Sequence, residues 1–181
     1  LEREAKWVLD GRIAIEHQLG HEAYVENVFD KGHMVRMMDA SWGELAIQGS
    51  HDSFVYTNAA PQHQHLNQRS WLNLENSVLN EAVNSRKKMT VFTGPVLRPD
   101  DPLYDNNGKM ELPTRMPQPF WKVIVWNEPK TGLQSRSYLM SQTTDNSSPI
   151  KDSRVPLETV SQLTGIDFGP LSAQKANNPS S

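Results

Sequence analysis

The stretch NQRSWLNLENSVLNEAVNSRK, residues 67 to 87, contains neither glycine nor proline. Trp71, Leu74, Val78, Leu79 and Ala82 recur in it at steps of three and four residues, which predicts a helix with one apolar stripe. A striped helix cannot bury its own apolar face. The rest of the chain must supply the surface that covers it.

The candidates for that surface are strands. MTVFTG (89 to 94) and FWKVIVWN (120 to 127) read as buried strands, and LQSRSYLMSQ (133 to 142) as a half-exposed one. SFVYTN (53 to 58) reads as a further strand. In KWVLDGRIAIE (6 to 16), two short apolar runs flank Asp10-Gly11, a hairpin signal. VPLETVSQLTG (155 to 165) is a short helix, with Pro156 in its first turn and Gly165 as its stop. Residues 95 to 119 form a long loop rich in Pro, Asp and Asn, of the kind that is functional or mobile in a compact domain. No internal repeat and no strict βαβ rhythm is present. The pattern favours an α+β fold with a central, largely antiparallel sheet flanked by helices.

Size and composition narrow the function classes. With 181 residues, 36% of them hydrophobic and 22% charged, the chain suits one domain over residues 1–171 followed by a frayed tail over 172–181. The net charge of -3 announces no global polyanion binder, so any basic footprint is local. Cysteine is absent, which excludes disulfides, Cys-based zinc sites and thiol catalysis. Neither a membrane span nor a signal peptide is visible, and the localisation stays open. The chain begins at Leu1, so its natural N-terminus is expected further upstream, and a fused domain beyond either end fits as well.

Four polar features stand out: Asp30-Lys31-Gly32-His33, the run TNAAPQ with Asn58 and Gln62, Asn67 at the start of the long helix, and Glu75 on the same helix. Eight residues of α-helix separate Asn67 from Glu75 by about 12 Å, with Glu75 leaning back toward Asn67. That spacing suits a hydrated hard cation better than direct ligation by both side chains. By themselves these residues have plainer readings: a surface histidine, a helix-capping Asn67 and a solvated Glu75. His51, His63 and His65 make no zinc site with any nearby acid in sequence. Trp71, Trp121 and Trp126 read as core. Arg86-Lys87-Lys88 reads as an exposed helix end at the negative pole of the helix dipole.

In order, DKGH, TN-x-x-PQ and LNQ-x-x-W-x-x-LE resemble the DNA/RNA non-specific endonucleases of the ββα-metal superfamily, the group that includes endonuclease G. VFTGPV, FWKVIV and RVPLETVSQLTGIDF resemble that family's later strands and closing helix, so the likeness spans residues 28 to 168. The resemblance implies a ββα-metal nuclease fold and hydrolysis of phosphodiesters in DNA and RNA, leaving 5′-phosphate ends. By position it implies His33 as general base, Asn67 as the direct metal ligand, and Glu75 as a ligand through water. Asn58 is implied as a supporting catalytic residue, with Asp30 and Gly32 shaping the turn that presents the histidine. The implied cofactor is Mg²⁺, with Mn²⁺ or another divalent cation as substitutes; DNA and RNA are the implied partners, and relatives form homodimers.

Lys31 departs from the family's arginine, keeping the charge and losing the planar fork that grips phosphate. Leu79 stands where some members carry an arginine; Arg36 and Arg69 are the candidates to supply that charge. Lys31, Arg36, Arg69 and Arg98 are therefore the expected nucleic-acid contacts, acting on the backbone with little base reading. Two other readings stay open: a weakened module that binds nucleic acid without cleaving it, and an interaction domain that keeps only the fold.

Overall fold

The computed structural model of the chain describes residues 6–144 and 147–171. The expected tail, 172–181, lies outside the described residues.

Two antiparallel units carry the fold. A ribbon is formed by β1 (Phe29–His33) and β2 (Ala59–His63), in a register that places Asp30 opposite Gln62 and His33 opposite Ala59. Between them run two short helices, α1 (Met37–Ala40) and α2 (Ala46–Asp52). The ribbon leads into a π-helical turn, Leu66–Trp71, which continues as α3 (Leu72–Ser85). Next come β3 (Met89–Pro95), the small pair β4 (Leu103–Tyr104) and β5 (Thr114–Arg115), then β6 (Pro119–Glu128), β7 (Gly132–Ser141) and β8 (Arg154–Val155). β3, β6, β7 and β8 make one sheet in that order, antiparallel throughout, and α4 (Leu157–Thr164) follows.

Alternation along β6 explains the layering. Phe120 and Ile124 point to one face, where they pack with Leu66, Trp71, Leu74 and Val78 of the long helical segment. Trp121, Val123 and Val125 point to the other face, against Val96, Val160 of α4 and Leu171. β6 is therefore buried on both faces, as its continuous apolar run required. The ribbon is fastened to this body by Gln142, whose side chain accepts from the His63 N–H at 2.7 Å and donates to the carbonyls of Pro61 and Pro117.

Several expectations need correction. Asp10-Gly11 makes a turn without a hairpin: the Asp10 carboxylate accepts the Arg12 backbone N–H at 3.0 Å and its guanidinium at 2.7 and 2.8 Å, folding the chain on itself. Val8 pairs instead with Val55 in a parallel bridge. The stretch 53–58 is not a continuous strand, because Ser53 bonds back to Ser50 and the Asn58 side chain bonds back to Ser53, curling Tyr56–Asn58 into a 3-10 turn. β3, an edge strand of this sheet, is half-buried or exposed except at Gly94 rather than lying buried. The long helix opens with a π turn, so the regular α spacing assumed between Asn67 and Glu75 does not hold across 66–71. It ends at Arg86, which takes the left-handed conformation (φ 52°) usual for a glycine stop.

Candidate active site

DKGH forms a strand and not a turn. Its alternation sends Asp30 and Gly32 toward the long helical segment and Phe29, Lys31 and His33 toward a cluster of aromatic residues. Gly32 is required by the first of these faces: a Cβ there would lie 2.3 Å from Oε1 of Gln62. Gln62 itself is fully buried, with neither carboxamide atom hydrogen-bonded among the described residues.

Asp30 organises the helix-facing side. Its Oδ2 accepts Nδ2–H of Asn67 at 2.9 Å and Nε2–H of Gln68 at 2.8 Å. An ionised carboxylate only accepts, so it fixes which end of each amide faces it. Oδ1 of Asn67 is thereby the end of the carboxamide turned away from Asp30. A neutral, hard oxygen held by its own carboxylate suits Mg²⁺, which takes few protein ligands and keeps its waters. No group of three or more His, Cys, Asp or Glu side chains that could hold a metal occurs among the described residues. Such a cation would rest on Asn67.

His33 is the last residue of β1. Its ring lies 4.6 Å from that of Trp7 and 5.0 Å from that of Phe54, between centroids. Nε2 is buried and has no hydrogen-bond partner among the described residues. Burial among these rings lowers the pKa to about 4, so the imidazole is neutral at pH 7. No hydrogen bond, ion pair or ring contact among the described residues joins His33 to Asn67 or Glu75. What links them is the strand itself: His33 lies three residues beyond the aspartate that holds Asn67.

The segment following His33 is fastened by Asn58. Its Oδ1 accepts the Val35 N–H at 2.9 Å, and its Nδ2 donates to the carbonyls of Val35 and Ser53. The Asn58 carbonyl accepts the Met34 N–H at 2.9 Å. The Asn58 carboxamide is thus spent on the backbone.

Two other residues sit away from their expected places. Arg36 is only 8% exposed, and its guanidinium donates to Asn76 and Asp39 and lies 4.0 Å from the Glu75 carboxylate. Its guanidinium is held by partners within the protein. Glu75 is 7% exposed, with Nζ of Lys122 at 3.5 Å. Burial pushes its carboxyl upward in pKa, while Lys122 and Arg36 oppose that shift. Burial also pulls the Lys122 ammonium downward against the attraction of Glu75. Both charged partners of Glu75, Lys122 and Arg36, are themselves buried. Lys122 was missed in the sequence, although a single lysine inside FWKVIVW was its signal.

Lys31 places Nζ 5.3 Å from the centre of the Tyr24 ring, and Arg69 and Arg98 are exposed. Arg98 belongs to the loop after β3, with its backbone N–H bonded to Asp101.

An antiparallel ribbon feeding a helix that carries the candidate ligand is the arrangement of the ββα-metal nucleases. The sequence profile of the DNA/RNA non-specific endonuclease family matches residues 2–175, and the chain belongs to that family. It is 32% identical to an uncharacterized protein, y4fB, of Sinorhizobium fredii over 96% of this chain and 29% of that protein. It is 28% identical to mitochondrial endonuclease G of Homo sapiens over 93% of this chain and 57% of that protein. The chain thus spans well under two thirds of these relatives. Among solved structures, that of the EndoG/EndoGI complex superposes with a TM-score of 0.72 at 24% identity, covering 91% of this chain and 69% of that one, a likeness of fold.

Proposed function

We propose that this chain is a divalent-metal-dependent, sugar-non-specific endonuclease domain that hydrolyses phosphodiesters of DNA and RNA and leaves 5′-phosphate ends. The observation that carries the reading is the Asp30–Asn67 hydrogen bond, by which the strand that ends in a neutral histidine orients the Asn67 amide oxygen as a ligand.

His33 is the general base. Its ring is neutral at working pH and receives a proton from the water attacking phosphorus. Trp7 and Phe54 hold the ring in place, and Asn58 holds the backbone that follows it. Asn67 would hold Mg²⁺ or Mn²⁺, whose chemistry there is to offset negative charge growing on the phosphate oxygens. Lys31, two residues before His33 on the same face, is the candidate phosphate contact, joined by the exposed Arg69 and Arg98.

Plasmid DNA and a long RNA, incubated side by side with Mg²⁺, Mn²⁺ or EDTA, test this reading. Cleavage of both with metal, none with EDTA and at least a 100-fold loss in His33→Ala support it. An intact plasmid and RNA under every condition, with binding retained at low salt, would make the chain a binding module instead.

A further inference from the structure

Lys31 and His33 share one face of β1, and both are seated against aromatic rings. Nζ of Lys31 lies 5.3 Å from the centre of the Tyr24 ring. Tyr24 stacks on Tyr56, with centroids 6.1 Å apart and planes 21° from parallel. Tyr56 lies 5.8 Å from Trp7, and Trp7 lies 4.6 Å from His33. The ammonium and the imidazole are thus seated at the two ends of one row of packed rings. The backbone around Tyr24 is pinned from outside. The Tyr104 hydroxyl donates to the Ala23 carbonyl at 2.8 Å, and the Asn106 amide donates to the carbonyls of Glu22 and Val25 at 2.7 and 2.9 Å.

What Tyr24 offers Lys31 is its ring and not its hydroxyl. The residue is 9% exposed, and its Oη is buried with no hydrogen-bond partner among the described residues. Burial pushes the phenol upward in pKa, so the group stays neutral and attracts an ammonium through its π face. A carboxylate would hold Lys31 and offset its charge, as Asp39 and Glu75 offset Arg36. A π face holds the ammonium and leaves the charge for a phosphate. Lysine needs such a seat more than arginine does. Its head is a point charge on a flexible stem, whereas a guanidinium brings a preorganised fork.

We infer that Tyr24 is the positioning residue for Lys31: its ring holds the ammonium on the His33 face, so that a lysine grips the substrate phosphate where the family's arginine would use its planar fork. The inference rests on the nuclease reading and names what orders the phosphate contact in this chain. It concerns the backbone phosphate, which every DNA or RNA strand carries, paired or unpaired.

The test places at position 24 a phenylalanine bearing no fluorine, then one, two or three on its ring. Fluorine drains the π face and hardly changes the shape of the ring, so a role in packing alone gives no trend. Tyr24→Phe should cleave a DNA duplex in Mg²⁺ within about 2-fold of the wild-type kcat/KM. From there kcat/KM should fall with each fluorine, by about 3- to 10-fold over the series and chiefly through KM. In a Lys31→Met background the residual rate should be the same for every ring. A flat series, a loss in Tyr24→Phe as large as with three fluorines, or an equal slope in Lys31→Met would overturn the inference. In parallel, fluorescence anisotropy of the same duplex in EDTA at low salt reads phosphate contact without turnover. Affinity that follows the ring in a protein that does not cleave would sink the nuclease reading and leave the Lys31 seat standing. Cleavage that depends on His33 but not on the ring would do the reverse. Failure to cleave, with binding absent or indifferent to the ring, would overturn the two together.

Discussion

Oδ2 of Asp30 lies 2.9 Å from Nδ2 of Asn67, and this one hydrogen bond decides which end of the Asn67 carboxamide is free. Because the aspartate can only accept, the amide oxygen is left for a cation. Asp30→Ala should therefore raise the Mg²⁺ concentration for half-maximal cleavage about 10- to 100-fold while sparing the rate at saturating metal. Asn67→Ala should not be rescued by added metal. A Mg²⁺ titration of initial cleavage rates on the two variants separates these outcomes.

The pH dependence follows from His33. Its folded pKa, about 4, lies below the unfolded value near 6.5, so the unfolded chain takes up a proton first as pH falls. Stability supplied by the neutral ring is complete above 6.5, declines on acidification and is exhausted near 4. Urea midpoints measured from pH 7.5 to 4 should fall less steeply for His33→Asn than for wild type. Activity should remain flat from pH 8 to about 5.5, where an unperturbed histidine would already be titrating.

Glu75, Lys122 and Arg36 form a buried charged group beneath the helix, and Lys122 is 2% exposed. Lys122→Met removes one partner and leaves the carboxylate short of a neighbour, at an expected cost of about 3–5 kcal/mol. Glu75→Gln with Lys122→Met should recover most of that loss. Urea denaturation of the three proteins checks both statements.

Asn58 binds the backbone at Val35 and Ser53, close to His33 in the chain. Asn58→Ala should cost about 1–3 kcal/mol through unpaired backbone groups. It should also lower kcat more than it raises KM, since the base loses its placement and the phosphate contacts do not. Steady-state cleavage of a defined oligonucleotide reads that split.

Much of this was legible in the chain. The striped helix, the buried β6, the half-exposed β7 and the Gly165 stop all follow from local patterns that the tertiary structure reinforces. The ribbon was harder to see, because FDKGH and AAPQH are short, polar and glycine- or proline-bearing, and become strands only by pairing with each other across intervening helices. The motif order pointed to the family, yet spacing could not reveal the π turn at 66–71. Nor could charge alone show that Arg36 and Glu75 face inward. Glu75 is paired in the interior with Lys122, 47 positions further along the chain, and with Arg36.

The central claim is that the His33 imidazole takes the proton from the attacking water, and chemical rescue tests it most directly. His33→Ala should cleave DNA in Mg²⁺ at least 100-fold more slowly than wild type, and free imidazole should raise that rate in proportion to its concentration and to its unprotonated fraction. Cleavage by His33→Ala at the wild-type rate, without imidazole, would contradict the account.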